Sequence, residues 1–331
     1  MSKKTGILTL VSADNCGSLL QAYALQYALR NIYQIEAELI SFWPSQARKL
    51  YRTFHPSVIK QPKALWNTLL SWKALKKQSQ MYEEFRCKEL DMKNTKILDK
   101  ESLYKHLSKF EAVIVGSDQV WNVRMFDFDP AYFLPDCTTR KFAYAVSLGG
   151  NEKEETPDAL LKYRTEIEAF EQVSVREPQG KRILNSFCKR DIEVCIDPTL
   201  IIPEQEWNRL GGNRLVNEEY VFYYSYNYSD KVLCRLVQDC ARQYGLPVYV
   251  INASRWIQHQ PKDYNFRFAP SDGPKAFLSL MKHAKYVFVQ SLHGAIYASV
   301  LHTNYWLLNN RETDVRNLHG ENILHFFVPR S

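Results

Sequence analysis

Short apolar runs that alternate with amphipathic stretches are the feature that most constrains how this chain folds. The apolar runs that suit buried strands are residues 7–11, 36–41, 112–116, 141–147, 172–175, 192–196, 220–226, 247–251 and 285–289. Stretches with helical patterns occur at residues 18–31, 156–170, 180–187, 229–244, 273–283 and 294–301. Strands that alternate with crossover helices are typical of parallel α/β layers. The pattern predicts two Rossmann-like domains that face each other across a cleft.

The length supports two domains, because 331 residues are too many for one comfortable hydrophobic core. We place the boundary near the end of the polar helix predicted at 156–170. The first domain then spans residues 1–170 and the second spans residues 171–331.

The composition is that of an ordinary globular protein, with 45% hydrophobic and 24% charged residues. The N-terminus leads directly into a strand-like run and no stretch of 18 apolar residues occurs, so we predict a cytoplasmic protein without signal peptide or membrane span. The seven cysteines are scattered and form no CxxC pair, which argues against disulfides and zinc. There is no His-x-x-x-His and no dense carboxylate cluster, so we predict neither metal nor cofactor.

The net charge of +7 comes from one segment, residues 44–82. This segment contains eight basic residues and no acidic one, so it carries +8 and the rest of the chain sums to about −1. Its leucines and Trp72 recur at helical spacing, and further tryptophans lie among the cations. One interpretation is an anionic membrane surface as partner. The other is a solvated helical hairpin. Because no recognition motif for nucleic acid occurs, we predict no nucleic-acid partner.

Two polar clusters in the first half follow predicted strands, where ligands bind in parallel sheets. The first contains Asn15, Gly17, Ser18 and Gln21 and suits a helix start that binds an anionic or hydroxyl-rich ligand, although Ser18 can also be a plain helix cap. The second contains the acid, amide and indole groups that bind sugars. Its candidate residues are Ser117, Asp118, Gln119 and Trp121. The alternative is that Asp118 caps a helix and Trp121 belongs to the core.

Two further clusters follow strands in the second half. Arg176 comes directly after the run at 172–175 and can grip a carboxylate or phosphate, or can pair with Glu177 at the surface. His293 follows the run at 285–289, and a histidine in that place can serve as general acid or base. A core histidine bonded to the backbone is the alternative, but the small residues Gly294 and Ala295 leave room for a ligand.

Together the clusters resemble the polysaccharide pyruvyl transferase family. The resemblance is carried by Asn-x-Gly-Ser-x-Leu-Gln-Ala-Tyr-Ala-Leu (15–25), Gly-Ser-Asp-Gln-Val-Trp-Asn (116–122), Tyr-Ala-x-Ser-x-Gly (144–149), Ser-Val-Arg-Glu (174–177), Asp-Pro-Thr-Leu (197–200) and Ser-Leu-His-Gly (291–294). It implies a glycosyltransferase-B-like fold. It also implies transfer of pyruvate as a cyclic ketal from phosphoenolpyruvate to two hydroxyls of a sugar, in a surface polysaccharide such as a capsule or exopolysaccharide, or in its lipid-linked precursor.

The resemblance also assigns roles. The second domain of the family holds the donor, so His293 and Arg176 map to donor-binding positions, while the N-terminal loop and the 116–122 cluster face the acceptor. We expect His293 to act as the acid and Asp118 as the base, with Arg176 and the Gly294 and Ala295 amides around the anionic groups and Ser291 as a further donor-binding residue. Some members carry Asp-Arg before Leu-His-Gly, whereas this chain has Gln290-Ser291. Lysines or arginines elsewhere can compensate, with Lys275 as the first candidate beside Lys282, Arg255 and Arg311.

Two other functions stay open at this point. A nucleotide-sugar-dependent glycosyltransferase has the same fold, and its glycine-rich loops suit diphosphates equally well. A non-catalytic carbohydrate-binding or scaffolding protein would bind sugar without turnover, which the set of Asp118, Arg176 and His293 disfavours.

Overall fold

A computed structural model describes residues 4–50, 71–93, 95–149, 155–259 and 264–308. Its contacts divide the chain into two compact units. The first unit consists of Met1–Asp14, Ser18–Arg52 and Arg86–Ile202, and the second of Asn15–Gly17, Thr53–Phe85 and Pro203–Ser331.

The first unit contains a six-stranded parallel sheet in the order β2-β1-β3-β4-β5-β6. Its strands are β1 (Thr5–Leu8), β2 (Ala37–Leu39), β3 (Ala112–Asp118), β4 (Arg140–Val146), β5 (Gln172–Val175) and β6 (Glu193–Val194). The first and last residues of each strand lie within three residues of the ends of an apolar run in the sequence. Parallel strands buried on both faces read as continuous apolar runs, which is why the sequence pattern located them.

The predicted domain boundary at residue 170 is wrong. Residues Gln172–Val175 pair with β4, and Glu193–Val194 extend the same sheet, so the division between the units falls after Ile202. Val173 and Val175 are buried in the core of the first unit. The polar helical region before them is therefore a crossover inside the first domain, and its polarity reflects solvent exposure of one face.

The helices up to residue 202 are α1 (Cys16–Tyr27), α2 (Ser45–Leu50), α3 (Trp72–Lys88), α4 (Lys100–Leu107), α5 (Glu155–Leu161), α6 (Arg164–Glu168) and α7 (Pro178–Asn185). A π-helical turn, Ala28–Ile32, continues α1. The single helix predicted at 156–170 is two short helices, α5 and α6. Between them Tyr163 stacks on Phe133, with ring centroids 4.3 Å apart.

The core of the first unit is built around Trp121, whose side chain is fully buried. Its ring stacks on Phe133 at 5.0 Å and meets Phe170 edge-on at 5.5 Å. The indole N–H donates to the carbonyl of Tyr132 at 3.1 Å, so the one polar atom of the ring is satisfied inside the core. The alternative given above for this tryptophan, a core residue, is the correct one.

The second unit contains a five-stranded parallel sheet in the order β11-β10-β7-β8-β9. Its strands are β7 (Val221–Tyr224), β8 (Val248–Val250), β9 (Phe266–Phe268), β10 (Tyr286–Val289) and β11 (Tyr305–Leu307), and its further helices are α8 (Glu204–Gly211), α9 (Lys231–Gln243), α10 (Ala253–His259), α11 (Gly273–His283) and α12 (Leu292–Val300). The strands β9 and β11 were not predicted. Both lie at the edges of this sheet, and the middle residue of each, Arg267 or Trp306, is exposed, so neither is a buried apolar run.

The basic segment 44–82 is described only at its two ends, residues 44–50 and 71–82. The predicted helical spacing rests on Leu65, Leu69, Trp72 and Leu75. The first two lie outside the described residues, whereas Trp72 and Leu75 lie on α3. Within the described part of the chain, none of the helices is long and apolar enough to span a bilayer.

Replacing Trp121 with alanine tests its place in the core. We expect Trp121→Ala to lower the free energy of unfolding by about 3–5 kcal/mol, because it leaves a large cavity between packed rings. Phe126, which is 69% exposed, is the matched aromatic control, and Phe126→Ala should change stability by less than about 0.5 kcal/mol. Urea denaturation of both variants measures the difference. A Trp121→Ala protein as stable as the control contradicts the core assignment.

Candidate active site

In the first unit, β3 ends at Asp118, whose carboxylate is held by two donors. The hydroxyl of Ser18 donates to Oδ2 at 2.7 Å, and the backbone N–H of Gln119 donates to Oδ1 at 2.8 Å. Asp118 is only 5% exposed. The structure thus brings together two predicted site residues, Ser18 and Asp118, that lie 100 positions apart. Because both oxygens are engaged, the orientation of the carboxylate is fixed.

Three side chains expected to contact the acceptor are buried instead. Trp121 belongs to the core, as described above. The hydroxyl of Ser117 donates to the carbonyl of Ala145 at 3.0 Å, and Gln21 donates to the hydroxyl of Thr9 at 2.9 Å. Each of the three is 0% exposed. An acceptor-contacting role for them is wrong, because a fully buried side chain cannot reach a sugar.

The remaining candidate of this cluster, Gln119, is half-buried and accepts a hydrogen bond from Asn122 at 2.8 Å. An added Cβ at Gly149, which has φ +91°, would lie 2.5 Å from the Asn122 amide. The motifs at 116–122 and 144–149 therefore pack against each other at the carboxyl edge of the sheet. Gly149 is needed there for both its conformation and its small size.

Arg176 lies in the first unit, not in the second, and its guanidinium is bound to two carboxylates. It contacts Glu177 at 2.9 Å and Asp197 at 2.8 Å, and its side chain is 7% exposed. The predicted surface pair with Glu177 exists but is buried. The placement of Arg176 in the donor-binding domain was wrong because β5, which carries it, pairs into the first sheet.

The surroundings of Arg176 join three of the sequence motifs. Ser147 donates to Glu177 at 2.9 Å, and Thr199 donates to Asp197 through its backbone at 3.0 Å and its hydroxyl at 2.7 Å. Segments 144–149, 174–177 and 197–200 thus meet in one buried hydrogen-bonded network.

Electrostatics keep the guanidinium of Arg176 charged. Burial by itself lowers its pKa, but neighbouring carboxylates outweigh burial and raise the pKa above its ordinary value. These carboxylates belong to Glu177, Asp197 and Asp118. One cation among three acidic side chains leaves this edge of the first sheet acidic in sum, which suits polar or cationic groups better than a free phosphate.

In the second unit, β10 leads into the turn Gln290–Ser291 and then into α12, which carries His293. Ser291 is the N-cap, and its hydroxyl accepts from the Gly294 N–H at 3.0 Å. The Ala295 N–H donates to the Ser291 carbonyl at 3.0 Å. The prediction that the Gly294 and Ala295 amides bind anionic groups is therefore wrong, because both amides already donate to Ser291.

The side chain of His293 lies against the backbone of Gly17. Both residues belong to the second unit. A Cβ added to Gly17 would lie 2.6 Å from Nδ1 of His293 and 2.8 Å from Cγ. Gly294, the next residue after His293, is also restricted, since its Cβ would lie 2.9 Å from Cβ of Val289. The structure thus joins the motifs at 15–25 and 291–294, whose glycine and histidine are 276 positions apart in the sequence.

Asn15, the first residue of the same loop, is held by residues that the sequence did not indicate. Its side-chain oxygen accepts from the Tyr226 hydroxyl at 3.1 Å, and Tyr226 is 2.9 Å from the hydroxyl of Tyr224. Tyr224 is the last residue of β7, the neighbour of β10, and Tyr226 lies two residues further along the chain. The tyrosine-rich run at 220–228 is an apolar strand by pattern, which concealed the polar role of its last residues.

Gln290 connects the ends of the same two strands. Its side-chain oxygen accepts from Tyr223 at 3.3 Å and from Ser225 at short range. The glutamine that stands where some family members have aspartate therefore has a local role, which is to fix the carboxyl ends of β7 and β10.

Arg86 on α3 is another supporting residue that the sequence did not reveal. Its buried guanidinium donates to the carbonyls of Val11 at 2.8 Å and Ala13 at 3.0 Å, and to the carboxylate of Asp14 at 2.6 Å. It thereby fixes the loop after β1 within the first unit. In the sequence it lies in a charge-rich helix, where one cation cannot be told from its neighbours.

Among the cations named as substitutes for the missing arginine, Lys275 is exposed on the first turn of α11. Lys282 is half-buried on the same helix, and Arg255 is exposed on α10. Arg311 lies outside the described residues. Lys275 and Lys282 belong to the same unit as His293.

Solved structures with a similar fold include two UDP-N-acetylglucosamine 2-epimerases. UDP-N-acetylglucosamine 2-epimerase from Rickettsia bellii has a TM-score of 0.55 at 12% identity, over 96% of this chain and 81% of that one. The UDP-GlcNAc 2-epimerase from Methanocaldococcus jannaschii, solved with UDP-GlcNAc and UDP, has a TM-score of 0.53 at 13% identity, over 96% of this chain and 86% of that one. At such identities the likeness defines the fold class, which is two Rossmann-like domains of the glycosyltransferase-B-like type.

The sequence itself identifies the family. A profile of the polysaccharide pyruvyl transferase family matches residues 15–311, which is nearly the whole chain. The chain belongs to the polysaccharide pyruvyl transferase family, and is thus a transferase of polysaccharide biosynthesis with a sugar as acceptor. No curated protein matches the chain significantly.

The close contact between Gly17 and His293 gives a direct test. Gly17→Ala should fold, since alanine favours the helix in which residue 17 lies, but its methyl group must displace the imidazole. We expect transferase activity to fall about 100-fold, the loss that a shift of about 1 Å in a catalytic group can cause. Gly180→Ala is the matched control, because its Cβ would have no neighbour closer than 3.4 Å. Equal activity of the two variants, with equal melting temperatures, is the result that contradicts this reading of the contact.

Proposed function

We propose that this protein transfers pyruvate as a ketal from phosphoenolpyruvate to a sugar of a surface polysaccharide or of its lipid-linked precursor. Family membership supports the reaction class. The observation that carries the residue assignment is the packing of His293 on Gly17, because it joins two distant family motifs at the carboxyl edge of the second sheet. Ligands of open parallel sheets bind at that edge.

The chemistry requires a proton donor and a base. One sugar hydroxyl adds to the enol carbon of phosphoenolpyruvate while a proton is delivered to the methylene carbon, which becomes a methyl group. The neighbouring hydroxyl then attacks the same carbon and loses its proton, while the bond from that carbon to the phosphate oxygen breaks and phosphate leaves. The carboxylate stays on the ketal carbon. The net result is a cyclic ketal and inorganic phosphate. The first addition needs an acid next to the methylene carbon and a base next to the hydroxyl.

His293 is the proposed acid. It is half-buried at the start of α12, and its ring is confined by Gly17 on one side, so its position is set before substrate binds. A preorganised acid costs no reorganisation during the reaction. Lys275 is the proposed cation for these anionic groups, and no metal or further cofactor is required by the proposal.

Asp118 is the proposed base in the first unit. Its oxygens accept from Ser18 and from the Gln119 backbone, which leaves each with a further lone pair for a sugar hydroxyl. Gln119 and Ser18 are the acceptor-side residues that support it, and Asn15 remains an acceptor-binding candidate. Arg176, bound to Glu177 and Asp197, supports Asp118 electrostatically in this proposal, and direct binding of the donor's phosphate is no longer its main role.

Variants of the two residues test the proposal in one assay. Incubation with phosphoenolpyruvate and candidate acceptor sugars should release phosphate only when the acceptor is present. His293→Ala and Asp118→Asn should each lower kcat/KM by about 100-fold to 10,000-fold, the usual contribution of a general acid or base. Mass spectrometry of the product should show a pyruvate ketal.

The controls are a histidine and an aspartate at the surface of the second unit. His302, which pairs with Glu204, is 70% exposed in its side chain, and the side chain of Asp239 is 61% exposed. His302→Ala and Asp239→Asn should keep wild-type turnover. Wild-type turnover in His293→Ala overturns the acid assignment. Acceptor-dependent release of a nucleotide from a sugar nucleotide, without use of phosphoenolpyruvate, overturns the donor.

We also propose that the acceptor is presented on a lipid at the cytoplasmic face of the membrane, and that segment 44–82 contacts the anionic surface. In its described part, Lys73 and Lys76 are exposed on α3. The protein should co-sediment with vesicles that contain anionic lipid and not with zwitterionic ones. Lys73→Glu with Lys76→Glu should weaken that binding, whereas Lys105→Glu with Lys109→Glu, in the first unit, should leave it unchanged. Binding that ignores the lipid charge excludes this surface interaction.

A further inference from the structure

We propose that Tyr226 is a positioning residue of the second unit, which acts through Asn15 to hold Gly17 against the imidazole of His293. This inference rests on the proposed function insofar as His293 is the acid of the reaction. It adds a residue that lies in none of the six family motifs.

The position of Tyr226 follows from the sheet. Strand β7 pairs with β10 in parallel, with Tyr224 opposite Val289. Tyr226 lies two residues beyond that pair and His293 four residues beyond it, so both chains leave the sheet at the same edge. The Tyr226 side chain is half-buried, and its ring meets Tyr224 at a centroid distance of 5.5 Å and an interplanar angle of 65°. The ring is therefore held by packing, independently of its hydroxyl.

The hydroxyl groups form a relay with a defined direction. Tyr226 has one O–H, which donates to the side-chain oxygen of Asn15 at 3.1 Å. At its other contact, 2.9 Å from the hydroxyl of Tyr224, it must therefore accept. Tyr224 is 2% exposed, and burial raises its pKa well above the ordinary value, with Tyr226 as a further cause. The relay therefore runs from Tyr224 through Tyr226 to Asn15.

The relay ends two residues before the glycine that His293 contacts. With its oxygen bound to Tyr226, the amide of Asn15 has one fixed orientation, and the backbone from 15 to 17 is anchored to the end of β7. The contact between Gly17 and His293 leaves no room for a methyl group, so a small displacement of this backbone changes the position of the imidazole. Tyr226 thus restrains the histidine from the side opposite to α12.

Tyr226→Phe separates the relay from the packing, because it removes only the hydroxyl. We expect a melting temperature close to that of the wild type, a fall in kcat of about tenfold, and a KM for phosphoenolpyruvate unchanged within about twofold. The side-chain NMR signals of His293, assigned by their loss in His293→Ala, should shift in Tyr226→Phe. Tyr244→Phe is the control, since Tyr244 is 48% exposed in the same unit and stacks on Tyr286.

A double-mutant cycle tests whether Tyr226 acts through Asn15. Asn15→Ala alone should shift the same His293 signals, and adding Tyr226→Phe to it should cause little further change in signals or in kcat. Additive losses, or unchanged His293 signals in Tyr226→Phe, overturn the inference. The NMR arm needs no substrate, so it can succeed when phosphoenolpyruvate proves not to be the donor. A failure of the proposed function and a failure of this inference are thus distinguished.

Discussion

The contact between the His293 ring and the backbone of Gly17 is the constraint on which the arrangement of the second unit depends. A histidine at the start of a helix has several rotamers open to it. Here the loop Asn15–Gly17 closes off one side, and the absence of a side chain at residue 17 is what allows the ring to lie so close. The side chain of Gln290 accepts from hydroxyls at the end of β7, and Ser291 accepts from amides at the start of α12. These contacts fix the ends of β7 and β10, from which the loop and the ring are held.

The first unit is held instead by a buried network of charged side chains. Arg176 and its carboxylate partners Glu177 and Asp197 come from the ends of neighbouring strands, and each carboxylate also accepts from a serine or threonine. Removal of one partner would leave an uncompensated buried charge, which is costly. The network therefore ties the ends of β4, β5 and β6 together and places Asp118 in a fixed field. Its charge also explains why Arg176 remains protonated although it is buried.

The sequence predicted the fold class and most of the strands, and its errors have physical causes. Most strands were found because buried parallel strands are continuous apolar runs. The strands β9 and β11 were missed because they lie at the edges of the second sheet and each has an exposed middle residue. The domain boundary was wrong because a polar crossover helix and an interdomain linker have similar composition. Asp118 is the last residue of β3, and Ser18 and His293 lie in the first turns of α1 and α12, close to where their motifs were expected. Trp121 was ambiguous, because the same aromatic residue suits a sugar platform or a core.

Residues whose function depends on tertiary contacts were beyond sequence reasoning. Tyr226 and Arg86 have ordinary neighbours in the sequence, and only the pairing of β7 with β10 and the packing of α3 give them partners. Conversely, Arg176 matched its motif, but the sequence could not show that Asp197, 21 positions away, would bind it.

The exchange of Asp-Arg for Gln290-Ser291 is best understood as a local redistribution of charge. Aspartate and arginine together are neutral, and so are glutamine and serine, so the turn before Leu292 keeps the same net charge. What changes is the partner of each position: Gln290 accepts from neutral hydroxyls, and Ser291 satisfies the amides of α12 that an anion would otherwise meet. An anionic donor must then draw its positive charge from outside the turn. The proposed function assigns this role to Lys275, which is exposed on the first turn of α11 in the same unit.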